Sequence, residues 1–563
     1  MSKLVGPSDR EAEIEPAPDL GVIVRGSLSE GLAMRLDEAR SVEDVRVGKF
    51  VVVRGERSRF FAMISDVELG ASHPRVLDNP PQSRLAADVL KGTATFGTVK
   101  IRPMLMVPND VDEDDPDSLL PVKTIPAHFS RVSDATREDV SRVFGDERKG
   151  TAYFHVGEPL DMDTPVCLNL DRWVERSNAI FGKSGTGKTF LTRLCLCGAI
   201  KAGKAVHLIF DMHNEYGEKG TNEGQGQRSV YGLRNHFQAR VQIFTLDPQS
   251  SQRRGVRYDH AVKVPYSQLA VEDILLLQRE LNLSGASVET CYLLERKLGE
   301  AKWLADFLKW DADQMAEFVA EHNAHPSALS ALQRKLLSLA HQCRDFLVER
   351  LPDGDDAVNR IVDGLQAGRN IVLEFGQHNR PVQYMLVANI LTRRLHRIYV
   401  DRKEKAMGNA AAEPKPLVIV IEEAHKFLSP QLADQTIFGT IARELRKYNV
   451  TLLIVDQRPS GIDDEVLSQV GTKICCLLDD EKDIDAVLTG VSGANTLRGV
   501  LASLDTRQQA LIFGHAVPMP VVVKTRTYDE TFYRAMRHAG PADDDGADGL
   551  AERVMRNISL DFA

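Results

Sequence analysis

The chain has 563 residues, too many for one ordinary core, and is 43% hydrophobic and 27% charged, a globular balance that excludes a disordered polypeptide. It contains no apolar run of membrane-spanning length. MSKLVGPSDREAEIEPAPDL at its start has no signal-peptide core, so a cytoplasmic protein is expected. The net charge of −10 gives no overall basic footprint, yet binding depends on local charge, so nucleic acid is not excluded as a partner.

Residues 1–19 read as a flexible polar tail. Residues 20–160 read as mostly β: GVIVRG, KFVVVRG, RFFAMISDVEL and TATFGTVKI are short β-branched or aromatic runs between Gly and polar turns, a pattern that predicts a small barrel. The acidic stretch NDVDEDDPDS (109–118) reads as a solvated loop. From about residue 161 the pattern changes. NAIFG (178–182), AVHLIFD (205–211), VQIFTL (242–247), NIVLEF (370–375), LVIVI (417–421), TLLIVD (451–456) and KICCLL (473–478) are continuous apolar runs of strand length. Such runs belong to strands buried on both faces, and helical segments between them predict an α/β core over 161–267 and 351–530. Within it, 268–350 has the i, i+3, i+4 spacing of amphipathic helices and predicts a helical insertion, with Trp303, Phe307 and Trp310 on its apolar stripe. QALIFG (509–514) and PVVVKT (520–525) are two further strands. The C-terminal tail (531–563) holds an acidic hinge, PADDDGADG, and a short amphipathic segment with Val554, Met555, Ile558 and Leu560. Seven scattered cysteines without C-x-x-C spacing read as buried apolar residues rather than disulfides or zinc ligands.

Gly182-Lys183-Ser184-Gly185-Thr186-Gly187-Lys188-Thr189 fits G-x-x-x-x-G-K-[ST] between a predicted strand and a predicted helix. Its glycines let the backbone turn N–H groups towards phosphate oxygens at a helix N-terminus. Lys188 is expected to bridge the β- and γ-phosphates of ATP, and the Thr189 hydroxyl to bind Mg²⁺. Leu417–Glu423 is an apolar strand ending in two acids: Glu422 is placed to bind Mg²⁺, partly through water, and Glu423 to polarise the attacking water. Asp211 and Glu215, in DMHNEY after the second strand, are candidates for the nucleotide or its Mg²⁺ waters, or equally for turn and capping roles. Gln457, in DQRPS after the strand TLLIV, is a candidate γ-phosphate sensor, with a structural turn at Pro459 as the alternative. Arg443 and Arg446 share a helix face and are candidate arginine fingers, although cations at a helix C-terminus are favourable without further purpose. Arg253, Arg254 and Arg257, in the loop QSSQRRGVRY (249–258), are candidate DNA-phosphate contacts, and a solvated loop is as good a reading.

Taken in order, the P-loop, DMHNEY, IARELRKYNV (441–450), DQRPS, LSQVGTK (467–473) and QALIFGHAVPMPVVVK (509–524) resemble the HerA-type, FtsK-like hexameric ATPases from about residue 20 to 530. The chain departs from that family's pattern at Met212, Asn214, Glu422 and Leu445. The resemblance implies a RecA-like P-loop core with a helical bundle, preceded by a HAS-barrel. It implies a homo-hexamer that pumps double-stranded DNA, using ATP and Mg²⁺. It also implies an effector docked on the barrel: a NurA-like nuclease in DNA repair, or a Sir2-like enzyme or other nuclease in antiviral defence. Two alternatives stand beside it, a ring scaffold whose ATP binding organises an effector, and an AAA+-like mover of peptides.

Overall fold

The computed structural model describes residues 19–78, 80–91, 93–111, 118–218, 220–221, 229–351, 356–378, 380–406, 413–433, 436–444, 448–491, 493–505 and 508–537. The expectations for the N-terminal tail, the centre of the acidic stretch, Leu445, Arg446 and the C-terminal hinge and helix lie outside these residues.

The N-terminal strands are β1 (Asp19–Ser27), β2 (Gly31–Leu36), β3 (Phe50–Arg54), β4 (Ser58–Ala71), β5 (Thr95–Pro108), β6 (Leu120–Pro121) and β7 (Arg131–Asp134). They pair antiparallel in the order β2-β1-β7-β3-β4-β5, and β5 returns to β2, closing a six-stranded barrel with β6 appended to β5. Strand period explains why FVVV in β3 is buried throughout: Val51 and Val53 point into the barrel with Phe60, Ile64 and Ile101, while Phe50 and Val52 point out against the next domain. Closure removes the exposed edges that an open sheet would leave. Short helices accompany the strands of this mostly β region. Helices Pro74–Asp78 and Arg84–Leu90 sit between β4 and β5, and helix Arg137–Phe144 follows β7. The last is started by a capping box in which Thr136 and Asp139 satisfy each other's amides.

Twelve strands form the second sheet. They are β8 (Tyr153–Pro159), β9 (Val166–Asn169), β10 (Asn178–Phe181), β11 (Val206–Asp211), β14 (Val241–Thr245), β15 (His260–Ala261) and β18 (Asn370–Glu374), followed by β19 (Leu417–Glu422), β20 (Val450–Asp456), β21 (Thr472–Cys475), β22 (Gln509–Gly514) and β23 (Val521–Thr525). The intervening β12 (Gly220–Thr221) with β13 (Ser229–Val230), and β16 (Val264–Pro265) with β17 (Leu347–Val348), form two small ladders. The sheet order is β15-β14-β18-β11-β19-β20-β10-β21-β22-β23-β8-β9, parallel from β15 to β21 and antiparallel beyond. A β-domain boundary at 160 therefore needs correction: β8 hydrogen-bonds to β23, so the second sheet already begins at Tyr153. Helices cover both faces, and apolar side chains of β10, β11 and β19 alternate between two large cores.

Helices Val271–Leu276, Gly285–Leu298, Trp303–Phe307, Ala312–His322 and Pro326–Gln342 make up the insertion. Trp303 and Phe307 are fully buried in it, and the Trp303 indole N–H donates to Leu269 O at 3.0 Å, so these aromatics are packing groups. Asp273 anchors the bundle to helix Pro381–Lys405: its carboxylate accepts from Asn389 Nδ2 at 2.7 Å and pairs with Arg393 Nη2 at 2.5 Å.

Candidate functional site

The parallel strands deliver their C-terminal residues to one edge. In register, Phe181 lies beside Asp456, Glu422 beside Val455, and Asp211 beside Glu374. β20 runs between β10 and β19, so the turn after Asp456 stands between the P-loop and the two acids of β19. Open α/β sheets bind ligands at such an edge.

The P-loop leaves β10 with Gly182 at φ 156°, Gly185 at φ 79° and Gly187 at φ 96°. Open space surrounds Gly185 and Gly187, so backbone angle rather than crowding requires glycine there. Helix Lys188–Ala202 begins with no side-chain cap, leaving its N-terminal amides for another acceptor. Thr186 Oγ1 donates to Lys183 O at 2.7 Å, and Lys188 Nζ donates to the same carbonyl at 2.9 Å, folding the ammonium over the loop. Lys183 pairs with Asp479. Ser184 and Gly185 are exposed, and Thr189 is half-buried at the helix start. Burial holds the Lys188 ammonium below its ordinary range, against the opposing fields of Cys476, Glu423, Asp456 and Glu422.

Glu422 is buried. Its Oε1 accepts from Tyr216 Oη at 2.8 Å, while Oε2 is buried without a partner. Burial, aided by the charges of Glu215 and Glu423, pushes its carboxyl up to about 7. An uncapped helix end, an ammonium and a buried carboxylate with one bare oxygen are the donor set that a Mg²⁺-nucleotide needs. The residues present thus fit Mg²⁺-ATP: the P-loop amides and Lys188 for the phosphates, Thr189 and Glu422 for the metal.

Glu423 sits at φ 50°, a left-handed conformation that costs a non-glycine residue on the order of 1–3 kcal/mol. The turn lifts its half-buried side chain off the strand, where Oε1 accepts from Gln457 Nε2 at 3.1 Å. His425, which the sequence reading did not single out, joins this group. Its backbone N–H and its Nδ1 contact buried Asp456 Oδ2 at 2.8 and 3.0 Å, and that hydrogen bond holds the imidazole above its ordinary range. Arg193 and Tyr384 also escaped notice: Arg193 donates to Glu215 O, and Tyr384 Oη to Glu422 O at 3.0 Å. No motif marks them, because each acts through the fold around the acids rather than on the ligand.

The remaining candidates are placed as follows. Asp211 is fully buried and both oxygens are taken, Oδ1 by Glu215 N and Oδ2 by Tyr216 N, each at 2.8 Å, so it closes the DMHNEY turn and aims Tyr216 at Glu422. Glu215 is half-buried, with its charge felt at Glu422. Arg443 lies 3.8 Å from Asp463 and 3.4 Å from Glu465. The segment 249–258 is not all loop: Asp247 caps a helix at Pro248–Arg253. Arg253, Arg254 and Arg257 are all exposed, and Arg254 also pairs with buried Glu374 at 2.5 Å.

The family "Helicase HerA, central domain" matches residues 154–395, and "HAS barrel domain" matches residues 20–110. The DNA double-strand break repair helicase HerA of Pyrococcus furiosus is 34% identical over 424 residues, 70% of this chain and 74% of that one. The chain belongs to the HerA family. The DNA double-strand break repair helicase HerA of Sulfolobus acidocaldarius is 24% identical over 503 residues, covering 88% of this chain and 92% of that one, a span that necessarily takes in β19 and β20 beyond the central-domain match. Among solved structures, VirB4 of Thermoanaerobacter pseudethanolicus superposes with a TM-score of 0.44 at 13% identity, over 66% of this chain and 96% of that one. This HerA-family chain is a P-loop ATP hydrolase. No helix among its described residues is long and apolar enough to cross a membrane.

Proposed function

We propose that the chain is the motor of a cytoplasmic homo-hexameric ring that uses ATP and Mg²⁺ to translocate double-stranded DNA. The observation that carries this reading is the insertion of β20 between β10 and β19, which sets Gln457 on Glu423 beside the P-loop. A sensor bonded to the water-polarising acid is what a motor needs to couple phosphate state to movement. Lys188 and the P-loop amides hold the phosphates. Thr189 and Glu422 hold Mg²⁺, which when bound neutralises phosphate charge. Glu423 polarises water, and Gln457 reports the γ-phosphate. Arg443 or Arg446 of a neighbouring subunit completes the site, which favours a closed ring. The HerA relatives are named for repair of DNA double-strand breaks, and duplex DNA is assigned here on that likeness. Arg253, Arg254 and Arg257 are the candidate phosphate contacts. On the resemblance to HerA-type ATPases, a nuclease or signalling activity is supplied by a second protein, NurA-like or a defence effector, on the barrel. The direct test is Lys188→Ala. The variant should fold, as judged by an unchanged melting curve, and lose ATP turnover; substantial turnover in the folded variant contradicts the site.

A further inference from the structure

We infer that His425 is a positioning residue for hydrolysis: anchored on Asp456, it holds Glu423 in the pose in which it can polarise water. The inference rests on the reading of Glu423 given above. The two anchoring contacts use the backbone N–H and Nδ1 of His425, both on Asp456 Oδ2. The other ring nitrogen, Nε2, lies 3.8 Å from Glu423 Oε2. The second oxygen of Glu423 accepts from Gln457. Both carboxylate oxygens therefore face nitrogens tied to the end of β20, one directly and one through the imidazole. The side chain of Asp456 is fully buried, whereas that of His425 is 31% exposed, so the ring bridges the sheet to the open site rather than filling the core. The turn Pro459–Gly461 closes on it from the far side: a Cβ at Gly461 would lie 3.3 Å from His425 Cβ. The charged groups facing the ring are Asp456, Glu423 and Lys426. With Gln457 bonded to one oxygen at 3.1 Å and the imidazole 3.8 Å from the other, the carboxylate takes its direction from these two groups. A shift at the end of β20, where Gln457 sits, is thereby passed to the acid through two contacts at once.

His425→Asn keeps an N–H at the Nδ1 position for Asp456 but cannot reach Glu423; His425→Gln can extend a nitrogen to it. Full-length protein with Mg²⁺ should bind a fluorescent ATP analogue equally well in wild type and His425→Asn, with equal melting temperatures. The turnover number of His425→Asn should fall about ten- to a hundredfold. His425→Gln should recover part of that loss, and in a Glu423→Gln background His425→Asn should add no further loss. Wild-type turnover in folded His425→Asn, or a loss seen only in ATP affinity, overturns the positioning role while the reading of Glu423 stands. Wild-type turnover in Glu423→Gln alone overturns that reading, and this inference with it.

Discussion

A buried carboxylate with one oxygen bonded and the other bare is costly, and Glu422 is in that state. Its carboxyl sits at about 7 against 4.5 for an ordinary glutamate. The folded chain therefore binds the proton more tightly than the unfolded chain does. The sign follows: between roughly pH 4.5 and 7 the folded state holds more protons, so this residue's contribution to stability falls as pH rises through that window. Glu422→Gln removes the charge and keeps the acceptor for Tyr216. In nucleotide-free protein it should equal wild type near pH 5 and exceed it at pH 8, by up to about 3 kcal/mol, in urea unfolding. A variant less stable than wild type at pH 8 would count against the bare oxygen. The positions of Lys188, Glu422, Glu423 and Gln457 at one edge were legible in the sequence, because a motif or an apolar strand precedes each. His425 and Tyr384 were not, since neither ends an apolar strand and only the fold shows that they bond Asp456 and Glu422, and the bond of Tyr216 in DMHNEY to Glu422 was equally hidden. Asp211 was legible as an acid at a strand end, but whether it faces a ligand or caps a turn depends on the path of the next five residues.

At the scale of elements, the insertion is held to the α/β core by Asp273, fully buried and answered by Arg393 and Asn389. Arg393→Ala would leave that carboxylate uncompensated and should cost about 3–5 kcal/mol, read as a lowered midpoint of denaturant unfolding. A loss under 1 kcal/mol would mean that the bundle is held by its apolar contacts alone. Apolar strand runs and helical periodicity marked the insertion and the parallel strands, because those elements are buried in ways that leave a pattern. The allegiance of β8 to the core left none: TAYFHVGEP reads the same whether it pairs within the barrel or with β23, and only the distant strand decides. Helix Arg137–Phe144 is marked by its capping residues Thr136 and Asp139, a signal outweighed by the surrounding β-rich composition.

At the scale of the whole molecule, a site that takes its finger from a neighbour works only in an assembly. Arg443 makes ion pairs with Asp463 and Glu465 of its own chain. Mixing an Arg443→Ala/Arg446→Ala chain with a Lys188→Ala chain should restore part of the turnover that each lacks, because some interfaces then join an intact P-loop to an intact finger. Verified mixed rings without recovery would place the finger elsewhere. The overall charge of −10 gave no sign of DNA, and the barrel followed by the ordered ATPase motifs carried the assignment instead. The central claim is that hydrolysis at this P-loop drives movement on duplex DNA. The measurement that tests it most directly is the ATPase rate of wild-type protein titrated with linear duplex DNA at rising salt. The account predicts turnover that DNA stimulates, that Lys188→Ala abolishes, and whose DNA dependence weakens steeply with salt because the grip is on phosphates. Turnover indifferent to duplex DNA at every salt concentration would contradict it.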